Sequence, residues 1–135
     1  MNEIPHIPRK VLLVEDELRL GESLARGIRA HWHDVQLERT CAGAVRAALE
    51  RHFDVLLLDI NLPDASGWDV LRQLDAAGRR PRTVVFSAIR PSSARVREFA
   101  PLAVLEKPFP IDALIRLVEL KDRPNLVTPG AEEQS

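Results

Sequence analysis

Short apolar runs alternate along the chain with segments in which apolar residues recur every three or four positions. A short run of aliphatic residues bounded by turn residues is typical of a strand buried in a sheet. The three-to-four spacing instead places apolar side chains on one face of a helix. The pattern predicts strands at residues 10–14, 35–37, 53–59, 83–86 and 102–105, and helices at residues 17–30, 42–51, 68–74, 92–99 and 110–120.

Five predicted strands therefore alternate with five predicted helices. This alternation favours an α/β fold, in which a doubly wound, five-stranded parallel sheet is covered on both faces by crossover helices. The length of 135 residues suits one such domain. The first helix is expected to carry acids in its first turn, and the fourth to be about two turns long because Pro91 and Pro101 flank it.

Four of the predicted strands end at polar side chains. Glu15 and Asp16 follow the first strand, and Asp59 ends the third. Ser87 follows the fourth strand, and Lys107 lies just beyond the fifth. Because the carboxyl ends of parallel strands meet at one edge of a sheet, these side chains should converge there. Neighbouring carboxylates repel unless a cation joins them, and oxygen ligands suit Mg²⁺. The pattern predicts a magnesium-dependent phosphoryl site in which Asp59 is the nucleophile.

Composition excludes several other classes of site. The net charge of -1 and the pI near 6.4 give no reason to expect a nucleic-acid or membrane partner. The single Cys41 excludes an intramolecular disulfide and a multi-cysteine metal site. No apolar run approaches the roughly 20 residues of a membrane span, so a soluble, cytoplasmic protein is expected. His31 and His33 are expected to have capping or surface roles, because residues two apart do not share a helix face.

Four motifs together resemble the receiver domain of two-component response regulators. In chain order they are VLLVEDE, LLLDINLPDASGW, VVFSA and LEKPF, and the resemblance covers about residues 10–120. It implies a flavodoxin-like (βα)₅ fold with strand order 2-1-3-4-5, of the CheY-like, single-domain kind.

The resemblance also implies roles for the residues around the site. Asp59 would accept a phosphoryl group from a sensor histidine kinase or a histidine phosphotransfer protein. The Mg²⁺ ligands would be Glu15, Asp16, Asp59 and the backbone carbonyl of Asn61.

Other implied roles concern the phosphoryl group itself. Ser87 would bind one of its oxygens, Ala88 would leave room for it, and Lys107 would pair with its charge. The Lys107–Pro108 peptide bond would be cis.

One departure from the family pattern concerns output. Val104 stands where the family commonly has a Tyr or Phe that swings inward on phosphorylation. We therefore predict that phosphorylation moves residues 87–89 and 91–99 without any aromatic switch.

The resulting hypothesis is a stand-alone receiver that changes conformation to signal to an unidentified partner and catalyses only its own phosphorylation and dephosphorylation. Its predicted parts are a flexible leader (residues 1–9), the receiver domain (10–121) and a disordered tail (122–135). A homodimer would use the fifth helix, where Ile115 or Val118 could lie near the rim, or the face it shares with the fourth helix and fifth strand.

Two alternatives come from other classes. A haloacid-dehalogenase-type phosphohydrolase also uses a strand-end Asp with Mg²⁺, but it needs an acid where this chain has Asn61. A non-phosphorylated interaction module on the same fold is the second alternative.

Overall fold

Strands and helices alternate along residues 7–120, the part of the chain that this computed structural model describes. The five strands there are β1 (Lys10–Val14), β2 (Asp34–Glu38), β3 (Val55–Asp59), β4 (Arg82–Ser87) and β5 (Ala103–Glu106). The five helices are α1 (Leu18–Arg29), α2 (Cys41–Glu50), α3 (Gly67–Ala77), α4 (Ser93–Phe99) and α5 (Ile111–Val118). The predicted alternation is confirmed. The predicted tail and residues 1–6 of the predicted leader lie outside the described residues.

All neighbouring strands of the sheet are parallel, in the order β2-β1-β3-β4-β5, which confirms the predicted fold class. The central strand β3 pairs with β1 on one side and β4 on the other, and all five of its residues are buried. A strand covered on both faces has no solvent-exposed face, which explains its continuous apolar run.

The helices cover the sheet in two layers. Residues of α1 and α5 pack on one face, whereas residues of α2 and α3, together with Phe99 from α4, pack on the other. No helix within the described range 7–120 is long and apolar enough to cross a membrane.

Four of the five described helices begin at a polar side-chain cap, whereas α5 follows Pro110, which provides none. Thr40, Ser66 and Ser92 each accept a backbone N–H of the following turn. Glu17 does the same for Leu20, so it is the N-cap of α1. The expectation of an acid inside the first turn of α1 is therefore wrong, because this acid precedes the helix and its side chain bonds to the helix directly.

His33 lies buried at the amino-terminal edge of the sheet. Its Nδ1 accepts the backbone N–H of Arg9 at 3.0 Å, which leaves Nε2–H to donate to Glu119 at 2.7 Å. A capping or surface role for this histidine is therefore wrong. His31, by contrast, lies at the end of α1 with Nδ1 3.1 Å from the carbonyl oxygen of Gly27, as a capping role requires.

The inner face of α5 also differs from expectation. Ile115 and Val118 are both buried against the sheet, so neither lies near the rim of a possible dimer face. The spacing alone identified the apolar face of the helix but not how deeply each residue would be covered.

Candidate metal and phosphoryl site

The carboxyl ends of β1, β3, β4 and β5 lie side by side at one edge of the sheet. They bring together Glu15, Asp59, Ser87 and Lys107 from positions far apart in the sequence. Backbone hydrogen bonds fix this edge: Lys107 N–H donates to the carbonyl of Ser87, and Ile60 N–H to that of Phe86. The predicted convergence of strand ends is therefore present.

The amine of Lys107 lies between two buried carboxylates. Its Nζ donates to Glu15 Oε1 and to Asp59 Oδ2, at 2.9 Å in each case. Glu15 is fully buried and Asp59 is 2% exposed. One cation thus faces two buried carboxylates. A second positive charge at this site would therefore be stabilised by the carboxylates.

The protonation of this cluster follows from burial and pairing. Burial raises the pKa of the Glu15 carboxyl, and the hydrogen bond from Lys107 offsets this only in part. Burial acts to lower the pKa of Lys107, but hydrogen bonds to Asp59 and Glu15 outweigh it and raise that pKa. Lys107 therefore remains a cation beside Asp59.

Loop backbone and side chains hold the remaining site atoms. Asp59 Oδ1 accepts the backbone N–H of Asn61 at 2.9 Å. The hydroxyl of Ser87 donates to Asn61 Oδ1 at 3.1 Å and accepts the N–H of Ile89 at 3.3 Å. The carboxylate, the amide and the hydroxyl are thus linked across the ends of β3 and β4.

Glu15, Asp16 and Asp59 form the acidic cluster of the site. Each offers one carboxylate oxygen, and these three oxygens lie within 4.8 Å of one another. An all-oxygen donor set is what Mg²⁺ requires, and few carboxylates leave room for its waters. The residues present therefore fit a magnesium ion. Asn61 is exposed next to the cluster, where its backbone follows Asp59 by two positions.

Sequence reasoning missed a contact that holds Asp16. The guanidinium of Arg39 donates from Nε and Nη2 to the backbone carbonyl of Asp16, at 3.2 and 3.0 Å. Arg39 comes just after β2, and no local pattern pairs it with a residue of the loop after β1.

Two further contacts shape the loop after Asp59. Asp64 accepts the backbone N–H groups of Cys41 and Ala42 at the start of α2, at 2.8 and 3.1 Å. Gly67 donates its N–H to the carbonyl of Ile60, and a Cβ on Gly67 would lie 2.7 Å from the carbonyl oxygen of Asp59. Only glycine allows α3 to start this close to the strand end.

The other predicted site residues lie around this edge. Ala88 is exposed directly after Ser87, and the Lys107–Pro108 peptide bond is cis. Val104 is half-buried in β5 opposite Val85, and its side chain has no ring.

Comparison with known proteins supports one family. The response regulator receiver domain model matches residues 11–119. The chain is 32% identical over 111 residues to a probable transcriptional regulatory protein, SilR of Salmonella typhimurium, covering 81% of this chain and 49% of SilR. It is 34% identical over 125 residues to the transcriptional regulatory protein KdpE of Mycobacterium tuberculosis, covering 91% of this chain and 55% of KdpE. The chain thus spans about half the length of these curated relatives.

Solved structures agree with the fold. The non-phosphorylated HemR receiver domain of Leptospira biflexa is 29% identical, with a TM-score of 0.76, over 89% of this chain and all of that one. The response regulator TrrA of Thermotoga maritima, solved in complex with Mg²⁺-BeF, is 20% identical with a TM-score of 0.73 over 82% of this chain and 96% of that one. From its matched residues and its fold, this chain belongs to the response regulator receiver domain family of two-component systems.

Proposed function

We propose that this chain receives a phosphoryl group on Asp59 from the phosphohistidine of a sensor histidine kinase or a histidine phosphotransfer protein. The observation that carries the proposal is the position of the Lys107 amine, 2.9 Å from Asp59 and 2.9 Å from Glu15, beside a cluster of three carboxylates. A nucleophilic carboxylate with a cation at its side suits phosphoryl transfer.

In the transfer, an oxygen of Asp59 forms a bond to phosphorus as the bond from phosphorus to the donor's imidazole nitrogen breaks. The imidazole leaves with the electron pair and takes up a proton. Lys107 pairs with charge on the phosphoryl oxygens, and the Ser87 hydroxyl turns from Asn61 to donate to one of them.

Glu15, Asp16, Asp59 and the backbone carbonyl of Asn61 would hold Mg²⁺. A bound magnesium ion supplies positive charge against the phosphoryl oxygens. Arg39 supports this set by fixing the backbone of Asp16.

The side chain two residues after Asp59 argues against a phosphohydrolase. Asn61 carries an amide, which cannot act as the general acid that phosphomonoester cleavage by such enzymes needs. The domain is therefore a signalling module whose catalysis is limited to its own phosphorylation and dephosphorylation, and whose partner must bind its two states unequally. Stand-alone action and the lack of a nucleic-acid partner stay predictions, since the matched relatives are about twice as long.

Intact-mass analysis after incubation with acetyl phosphate and Mg²⁺ tests the proposal. We expect a single phosphoryl adduct on the parent, none on Asp59→Asn, and none when the metal is chelated. Asp69→Asn, which removes a carboxylate of α3 that is paired with Arg72, is the matched control and should label like the parent. Equal labelling of Asp59→Asn and the parent would show that the acceptor is another residue.

A further inference from the structure

Two aromatic rings connect α3 to α4. Trp68 is the second residue of α3 and Phe99 the last of α4, and their rings stack with centroids 5.1 Å apart and planes 15° from parallel. Both side chains are buried, at 7% and 4% exposure. The guanidinium carbon of Arg72 lies 5.3 Å from the Phe99 ring centroid, so this ring is held by two partners from α3.

Phe99 places α4 in the hydrophobic core. Within α4, all seven residues of which are described, Phe99 is the only buried side chain. The helix ends at Ala100, whose φ of 45° places it in the left-handed region. A helix of two turns with one buried ring depends on that ring for its position, because short helices are not stable by themselves.

The same contact leads directly to the phosphoacceptor. Trp68 follows Gly67, whose N–H donates to the carbonyl of Ile60 at 2.7 Å and which lies so near the strand end that an added Cβ would be 2.7 Å from the carbonyl oxygen of Asp59. A chain of packed groups therefore runs from the Asp59 backbone through the start of α3 to Phe99. It does not pass through Val104.

We propose that the Trp68–Phe99 stack couples the phosphoacceptor loop to α4 and supplies the aromatic contact that position 104 lacks. The inference rests on the proposed phosphorylation of Asp59. When Asp59 is phosphorylated, the loop after it and the start of α3 shift, and Trp68 shifts with them. Because Phe99 is the buried ring of α4, the displacement of Trp68 loosens the stack and releases α4 from its position.

The opposing interpretation is that the two rings are ordinary core packing. Core packing predicts the same contact whether or not a phosphoryl group is present. It also predicts that replacing any buried phenyl ring of this core would affect the Trp68 emission to the same extent. Coupling requires that the contact differ between the two states of the domain.

Tryptophan fluorescence separates these interpretations. The chain has two tryptophans, and Trp32 is 79% exposed with a φ of 71°. Trp32→Asn leaves Trp68 as the only fluorophore, and Asn tolerates positive φ. Emission and acrylamide quenching are measured with Mg²⁺ alone and with Mg²⁺ plus beryllofluoride, whose binding is followed in the same sample by ¹⁹F NMR.

We expect beryllofluoride to shift the Trp68 emission to longer wavelength and to increase quenching. In Trp32→Asn/Phe99→Leu, beryllofluoride still binds but this response is lost, and hydrogen exchange of α4 no longer differs between the two conditions. Phe53→Leu removes another buried phenyl ring of the same hydrophobic cluster, one that precedes the amino-terminal end of β3, and keeps the response.

Bound beryllofluoride without any change in Trp68 emission or quenching would overturn the coupling and leave the proposed function intact, and this result does not depend on the Phe99 variant folding. A response that survives in the Phe99 variant would also overturn it. Failure of the parent to bind beryllofluoride, together with no adduct in the mass experiment, would overturn both proposals.

Discussion

The side-chain hydroxyl of Ser87 donates to the side-chain carbonyl of Asn61, with 3.1 Å between Oγ and Oδ1. The two residues lie at the ends of neighbouring strands, 26 positions apart in the chain. The hydroxyl that would bind a phosphoryl oxygen is therefore already engaged, and it must exchange one partner for another when the site is phosphorylated.

A double-mutant cycle measures the strength of this bond. Asn61→Ala and Ser87→Ala should each lower the free energy of unfolding, with a coupling energy of about 0.5–1.5 kcal/mol, the usual net value of a hydrogen bond. Urea unfolding of the parent, both single variants and the double variant provides the four values. Additive effects would mean that the bond is not formed in solution.

Lys107→Met tests the pairing of the two buried carboxylates. Without the amine, Glu15 and Asp59 face each other uncompensated, so the free energy of unfolding should fall by about 1–3 kcal/mol at neutral pH. Adding Mg²⁺ should restore part of this stability, because the cation replaces the missing charge. Lys10→Met, which removes an exposed lysine at the other end of β1, is the control and should change stability little.

The pH dependence of the Lys107→Met effect has a definite sign. A carboxyl whose pKa is raised in the folded state, as that of Glu15 is, gives stability at low pH that is lost as the pH rises. Removing Lys107 raises that pKa further, so the difference between the parent and the variant should narrow on acidification. A difference that widens in acid, measured by thermal melts across pH, would contradict the assignment.

Gly67→Ala tests the close approach of α3 to the phosphoacceptor. The added Cβ would meet two backbone atoms, the Asp59 carbonyl oxygen at 2.7 Å and Ile60 Cα at 2.8 Å, so the loop must shift. Labelling by acetyl phosphate should fall well below that of the parent. In Gly27→Ala the nearest contact is a flexible atom of Ile111 at 3.2 Å, so labelling should be unchanged. Normal labelling of Gly67→Ala would show that the acceptor loop tolerates the shift.

Asp64 gives a prediction about acid stability. Hydrogen bonds from the backbone N–H groups of Cys41 and Ala42 lower the pKa of Asp64 below its ordinary value of 3.8. A lowered carboxyl pKa contributes stability that is present above the unfolded-state value and lost as the pH falls through the folded-state value. Asp64→Asn should therefore melt below the parent near neutrality, and the two should converge in acid.

The matched control for Asp64 is Asp112→Asn, which changes an exposed acid in the first turn of α5. Its melting difference from the parent should be smaller. Equal effects of the two substitutions at neutral pH would mean that the contact between the loop and α2 adds nothing to stability.

The sequence was sufficient to predict the sheet and the convergence of side chains at its edge. Apolar runs such as Val55–Asp59 mark the strands locally, and a parallel sheet then determines which strand ends meet. The two turns predicted for α4 are also confirmed, because prolines limit it from both sides.

Contacts between distant segments could not be predicted in the same way. Arg39 with Asp16, Asp64 with Cys41, and Trp68 with Phe99 each join parts of the chain that are at least 23 residues apart, as does the buried His33 with Arg9, 24 residues before it. Each depends on how two loops or helices pack after the sheet forms, which a one-dimensional pattern does not contain.

The burial of every residue of β3, with neighbours bonded along both of its sides, has a mechanical consequence for signalling. The strand that carries Asp59 has no free space into which it can retreat, so a bulky anion added to its end must be accommodated by the surrounding loops. Asp59 therefore keeps its position when it is modified. A binding partner would distinguish the modified from the unmodified domain only through the changed conformation of the loops around Asp59.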